Sequence, residues 1–138
     1  ILEESPVMYE PLNISHQTRA FLQKTMLAVT DVGTASQLRY LKNFTISAKT
    51  STAQTSAYES RDQGEAFLEH GWLAVNFRYK NEQPMTLIIL IEHAGSARLS
   101  VMLAKTFLKA YRDLAETRAK TNFEKAAQPP LSTIEQPF

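Results

Sequence analysis

Cysteine is absent from the 138 residues, which excludes disulfides and any metal site built on thiolates. Neither sign of charge is in excess: 15 Lys and Arg stand against 14 Asp and Glu, for a net charge of +1. That balance carries neither the basic footprint of a nucleic-acid binder nor an acidic trap for a substrate. No stretch approaches the roughly 20 apolar residues of a membrane-spanning helix, and no signal peptide is read at the start. Any membrane attachment is therefore expected upstream of Ile1. Only three histidines occur, His16, His70 and His93, scattered without the paired spacing that metal ligation uses, so no metal and no cofactor are expected. What is present is 43% hydrophobic residues, enough for one core.

The order of elements follows from periodicity. Residues 1–14, with Pro6 and Pro11, read as an extended approach. Ser15 can cap a helix whose apolar face is Phe21, Leu22, Met26, Ala28, Val29 and Val32, and which closes near Gly33 in the left-handed conformation that glycine tolerates. A short irregular or helical segment between Ala35 and Lys42 returns the chain to a sheet. Phe44 to Thr55 is the first strand, short in apolar residues as an edge strand is, and Ser56 to Glu69 is a polar loop. Trp72 to Tyr79 alternates, with Leu73, Val75, Phe77 and Tyr79 on one side and Trp72, Ala74, Asn76 and Arg78 on the other. After a turn at Lys80 to Pro84, Met85 to Ile91 is nearly continuous hydrophobe, the pattern of a strand covered on both faces. Ser96 can cap a last helix with Ala97, Val101, Ala104, Leu108 and Tyr111, flanked by Leu103, Phe107 and Leu114, on its packing face. The pattern thins beyond Thr117, and residues 121–138, with Pro129-Pro130, read as a flexible tail. The expectation is an α+β unit over 15–120: an antiparallel sheet in chain order, packed against helices.

Chemistry concentrates in Ala48-Lys49-Thr50-Ser51-Thr52-Ala53-Gln54. On a strand, Thr50 and Thr52 share one face, their hydroxyls can hydrogen-bond a carboxylate, and Lys49 adds a positive charge. The plain alternative is an edge strand of β-formers with a solvated lysine that discourages aggregation. Around it stand Gly33-Thr34-Ala35 before and His70-Gly71-Trp72 after. In this order the chain resembles, over about Pro11 to Leu114, the C-terminal part of the transpeptidase domain of class B penicillin-binding proteins. There the third motif is Lys-Thr-Gly-Thr followed by Ala-Gln, and a His-x-Trp strand comes next. Two residues depart from the pattern: Ala48 replaces the glycine before the lysine, and Ser51 replaces the glycine within the motif, where a side chain crowds the groove.

The resemblance implies a penicillin-binding or serine β-lactamase-like fold and a serine acyltransferase that cross-links peptidoglycan stem peptides and is acylated by β-lactams. Lys49 would support the proton relay and draw the substrate carboxylate. The backbone N–H of Thr52 would form half of an oxyanion hole, while Thr50, Ser51, Thr52 and Trp72 would line the substrate groove. The family's Ser-x-x-Lys and Ser-x-Asn motifs occur nowhere in residues 1–138, so the nucleophile is expected upstream and the chain alone is expected to be inactive. The implied setting is the periplasmic face of a bacterial inner membrane, reached through an upstream anchor, in an elongation-type more than a septal enzyme. The partners are stem peptides, β-lactams and the upstream part of the same domain, with no nucleic acid. A class D-like β-lactamase, a β-lactam sensor domain and a non-catalytic interaction module remain open. His70 is read as a structural hydrogen-bonder, and Glu92-His93 as the end of the third strand.

Overall fold

The computed structural model describes residues 11–127; the first ten residues of the expected N-terminal segment and 128–138 of the expected tail lie outside them. Helix α1 spans His16–Asp31, and Ser15 caps it by accepting the Thr18 N–H at 3.0 Å. A 3₁₀ turn at Ser36–Leu38 leads into the strands β1 (Phe44–Ala53), β2 (His70–Tyr79) and β3 (Met85–Ile91). Helix α2 spans Arg98–Ala127 and so continues past residue 120, where the packed unit was expected to end. The sheet is antiparallel in the order β1-β2-β3, with Phe44 opposite Tyr79, Lys49 opposite Ala74 and Trp72 opposite Leu90. Two 3₁₀ turns, Tyr58–Gln63 and Glu65–Phe67, occupy the β1–β2 loop.

Alternation separates the two faces of the sheet. Ile46, Ala48, Leu73, Val75, Phe77 and Ile89 face inward and bury themselves against Val101, Ala104 and Leu108 of α2, with Leu38 and Leu41 closing the side. Each of the Leu, Ile, Val and Phe side chains among them contributes about 1.5–3 kcal/mol when fully buried. At the hairpin end, the Tyr79 hydroxyl donates to Glu116 at 2.9 Å and the Tyr111 hydroxyl to Glu82 at 2.5 Å, tying the end of β2 and the turn after it to α2. The other face carries Lys49, Ser51, Trp72, Ala74, Ile88 and Leu90; α1 overhangs it at the end that carries Thr45, Asn76 and Thr86, and among the described residues no helix encloses Trp72, Ile88 or Leu90.

Three expectations are corrected. The third strand is covered on one face only: Ile88 is 64% exposed and Leu90 42%. Its continuous apolar run reflects a face with no covering layer among the described residues. The apolar face expected on α1 is also mostly bare, since Phe21, Leu22, Ala28 and Val32 are exposed and the helix docks through Met26, Val29 and the buried Thr30. A single helix beside an edge strand touches it along one narrow line. Gly33, finally, does not take a positive φ. It is required by close approach instead, because a Cβ there would come within 2.8 Å of the Val29 Cα as the chain folds back over the last turn of α1.

Candidate functional site

The free edge of β1 is where the motif residues meet. The Lys80 N–H donates to the Asn43 carbonyl at 2.8 Å, which makes that opposed pair hydrogen-bonded, so Thr45, Ser47, Lys49 and Ser51 turn their backbone groups toward β2 by the antiparallel alternation. Ile46, Ala48, Thr50 and Thr52 then turn theirs outward. The Thr30 hydroxyl confirms this parity by lying 3.0 Å from the Ile46 carbonyl, an outer-edge group that would otherwise be buried without a partner. The outward N–H of Thr52 and the outward N–H and C=O of Thr50 thus stand at an edge that no strand occupies among the described residues.

Lys49 projects from the open face, but its ammonium turns to the edge and donates to the Thr50 carbonyl. The Thr50 hydroxyl projects from the opposite face and shares a 2.6 Å hydrogen bond with the hydroxyl of Thr34. Thr34 belongs to the tight exit of α1, where the Ala35 N–H donates to the Val29 carbonyl and the Ser36 N–H to the Gly33 carbonyl, both at 3.1 Å. The loop between Thr34 and Thr50, 16 positions apart, is closed by the buried Ala35, Leu38 and Leu41, which hold the exit of α1 against β1.

The sequence-derived site residues consequently divide between two faces. Ser51 and Trp72, directly opposed, line a shallow groove of about 370 Å³ on the open face together with Lys49, Ala53 and Ile88. Trp72 is 38% exposed there. The Ser51 side chain adds a hydroxymethyl group to the lining of this groove where a glycine would add none. Thr50 and Thr52 instead line a mixed pocket of about 350 Å³ on the helix side, with Thr34, Gln37, Ser96 and Arg98 and the apolar Ala97 and Val101. Lys49 reaches Thr50 at the edge between these hollows, where its ammonium donates to the Thr50 carbonyl. Thr34, Gln37 and Arg98 were missed by sequence reasoning. Thr34 had a signal, since it sits inside the Gly-Thr-Ala that precedes the strand, whereas Gln37 and Arg98 reach the pocket only through folding.

His70 and His93, read as scattered, are brought together with ring centroids 4.8 Å apart, edge to face. The His93 N–H donates to His70 Nδ1 at 3.0 Å, and His93 Nδ1 lies 3.2 Å from the Leu68 carbonyl. With the Gly95 N–H donating to the Glu69 carbonyl at 2.9 Å, the pair fastens the β3–α2 turn to the start of β2. Both histidines act as structural hydrogen-bonders here. Among the described residues no group of three or more His, Asp or Glu is placed to hold a metal ion, and no helix is long and apolar enough to cross a membrane. A cavity of about 530 Å³ lies under α1 along the open face and is lined by Gln23, Met26, Thr45, Asn76 and Thr86 without a charged group.

Compared with protein families, characterised proteins and solved structures, the chain matches none.

Proposed function

We propose that this chain is the C-terminal portion of a serine D,D-transpeptidase domain of the class B penicillin-binding kind, supplying the strand wall of its cleft. The observation that carries the reading is the convergence at the outer edge of β1. The Lys49 ammonium, the Thr50 hydroxyl and the outward Thr52 N–H belong to one motif of the resemblance and Thr34 to the Gly-Thr-Ala before it, and Lys49 and Thr34 both bond to Thr50 at this edge. An extended peptide can add to such an edge through its backbone.

In this reading a serine outside residues 1–138 attacks the carbonyl of the penultimate D-alanine of a stem peptide and gives up its proton to a base of the same cleft. The C–N bond to the terminal D-alanine breaks and that amine leaves with a proton. A neighbouring peptide's amine then attacks the ester and regenerates the serine. Thr52 donates its N–H to the carbonyl oxygen as it becomes negative, a contact whose loss typically costs about 3 kcal/mol of transition-state stabilisation. Lys49 holds positive charge beside the departing carboxylate. The open face with Ile88 and Leu90, and the free edge of β3, are where the upstream part of the domain would pack.

The test is labelling by a fluorescent penicillin. A complete protein containing this chain labels with one penicillin per serine, and residues 1–138 alone do not. Failure of the complete protein to label, or stoichiometric labelling of residues 1–138 alone, overturns the assignment. A second reading, a non-catalytic module of the same fold, is favoured by one observation: a serine side chain at position 51 lines the groove beside Trp72. Labelling of the complete protein separates the two.

A further inference from the structure

We infer that His70 and His93 form an acid-sensitive clasp, in which the neutral His70 ring holds the β3–α2 turn on the start of β2 and protonation of that ring lets the turn go. The two hydrogen bonds of the pair have a fixed direction. The His93 backbone N–H donates to His70 Nδ1 at 3.0 Å, and a backbone amide cannot reverse that role. His70 therefore carries its proton on Nε2 and is uncharged. His93 Nδ1 faces the Leu68 carbonyl at 3.2 Å, which only accepts, so this ring presents an N–H there.

The two rings answer protonation differently. His93 keeps its bond to Leu68 in either state, since Nδ1 carries a hydrogen in both. His70 instead gains a hydrogen on the one atom that receives the turn, and two N–H groups then oppose each other. With both rings charged, two cations also face each other across the 4.8 Å between ring centroids. His93 sits at φ 53°, in the left-handed region that side chains other than glycine adopt at a cost, so the turn relaxes once its tether is lost. The sign follows: the bond is open to neutral His70 alone, present above the imidazole range near about pH 6.5 and lost as pH falls through it.

The release is local. The Gly95 N–H on the Glu69 carbonyl and the Ser100 hydroxyl on the Gly71 carbonyl, both at 2.9 Å, involve no titrating group and keep α2 seated. The charged residues on the segments around the pair are Asp62 and Glu65 in the β1–β2 loop, Glu69 before β2, Glu92 after β3 and Arg98 in the first turn of α2. The acids favour an imidazolium and Arg98 opposes it. They set the pH of release, whereas the direction of the His93 N–H sets its sign.

The experiment follows the 138-residue chain by NMR as pH is lowered from about 7.5 to about 5.5, a window above the ordinary carboxylate range. It reads the histidine ring signals and the hydrogen-exchange protection of single amides, each normalised to an unstructured chain at the same pH. Protection of the His93 amide is expected to fall at least about fivefold in step with the His70 ring, as loss of one ordinary hydrogen bond implies. The Val101 amide, which donates to Ala97 inside α2, keeps its protection. His70→Asn supplies a carbonyl oxygen, an acceptor that does not titrate, and removes the fall. His16→Gln, at the start of α1, leaves it in place. Unchanged protection of His93 over this range, a fall out of step with the His70 ring, an equal fall at Val101, or a fall that persists in a folded His70→Asn chain overturns the proposal. Should His70→Asn lose its dispersed spectrum, the wild-type comparison of His93 with Val101 decides by itself. The clasp is independent of the acyl-transfer reading, which penicillin labelling of the complete protein tests.

Discussion

Ser100 on α2 donates its hydroxyl to the carbonyl of Gly71 on β2 at 2.9 Å, both groups buried, and this bond seats the first turns of the helix on the middle strand. The approach is so close that a Cβ on Gly71 would lie 2.3 Å from the Ser96 carbonyl oxygen. Gly71 thus serves the junction that also positions Arg98 and Ser96 beside Thr52.

Gly71→Ala is expected to destabilise the chain by at least about 2 kcal/mol, because backbone meets the new methyl and cannot rotate away. Ser100→Ala is expected to cost about 1–2 kcal/mol by leaving the buried Gly71 carbonyl without its donor. Urea unfolding midpoints of both variants check this. A wild-type midpoint for Gly71→Ala would show that α2 is not held where described.

Thr30 tests the parity of β1. Its hydroxyl lies 2.8 Å from the Leu27 carbonyl and 3.0 Å from that of Ile46, so Thr30→Val is expected to lose about 1 kcal/mol. Thr25→Val, whose hydroxyl bonds only within its own exposed helix, is expected to change stability by less than about 0.5 kcal/mol. Equal effects of the two changes would contradict the outward placement of the Ile46 carbonyl.

Within a complete penicillin-labelling protein, Lys49→Ala is expected to slow acylation at least about tenfold, through loss of the positive charge at the β1 edge. His70→Ala should leave the rate within about twofold, since His70 faces the His93 turn rather than the edge. Ser51→Gly should leave acylation intact or faster by removing a side chain from the groove lining. Rates of fluorescent adduct formation decide each, and normal labelling of Lys49→Ala would remove that lysine from the site.

Alkaline stability follows from Tyr111. Its hydrogen bond to Glu82, helped by burial, holds the phenol above its ordinary value of 10.0. A folded-state pKa above the unfolded one means that the folded chain keeps a proton the unfolded chain has released. Its contribution is fully present below about pH 10 and is lost as pH rises through the folded-state pKa. Denaturant midpoints followed upward from neutral pH should fall more steeply for the wild type than for Tyr111→Phe above that point. Parallel profiles would remove the linkage.

Much of the fold was legible because periodicity is a local property. The alternation of Trp72 to Tyr79 separated the buried from the exposed residues of β2, and the threonine-rich character of Phe44 to Ala53 placed it at an edge. Ser15 and Ser96 announced helix starts through chemistry that acts over three residues. Burial of a whole face was not legible: the run Met85 to Ile91 reads the same whether one face or two are covered, and only the placement of α2 decided that Ile89 is enclosed while Ile88 is bare. The site divides in the same way. Lys49, Thr50, Ser51 and Thr52 stood together in the sequence, and the two-residue period already separated them into pairs on opposite faces. That Thr34 grips Thr50, that His93 meets His70 and that Arg98 lines the pocket of Thr52 are contacts across 16 to 46 residues of chain. Such contacts exist only once the hydrophobic core has closed the intervening loops, so the tertiary structure alone decided them.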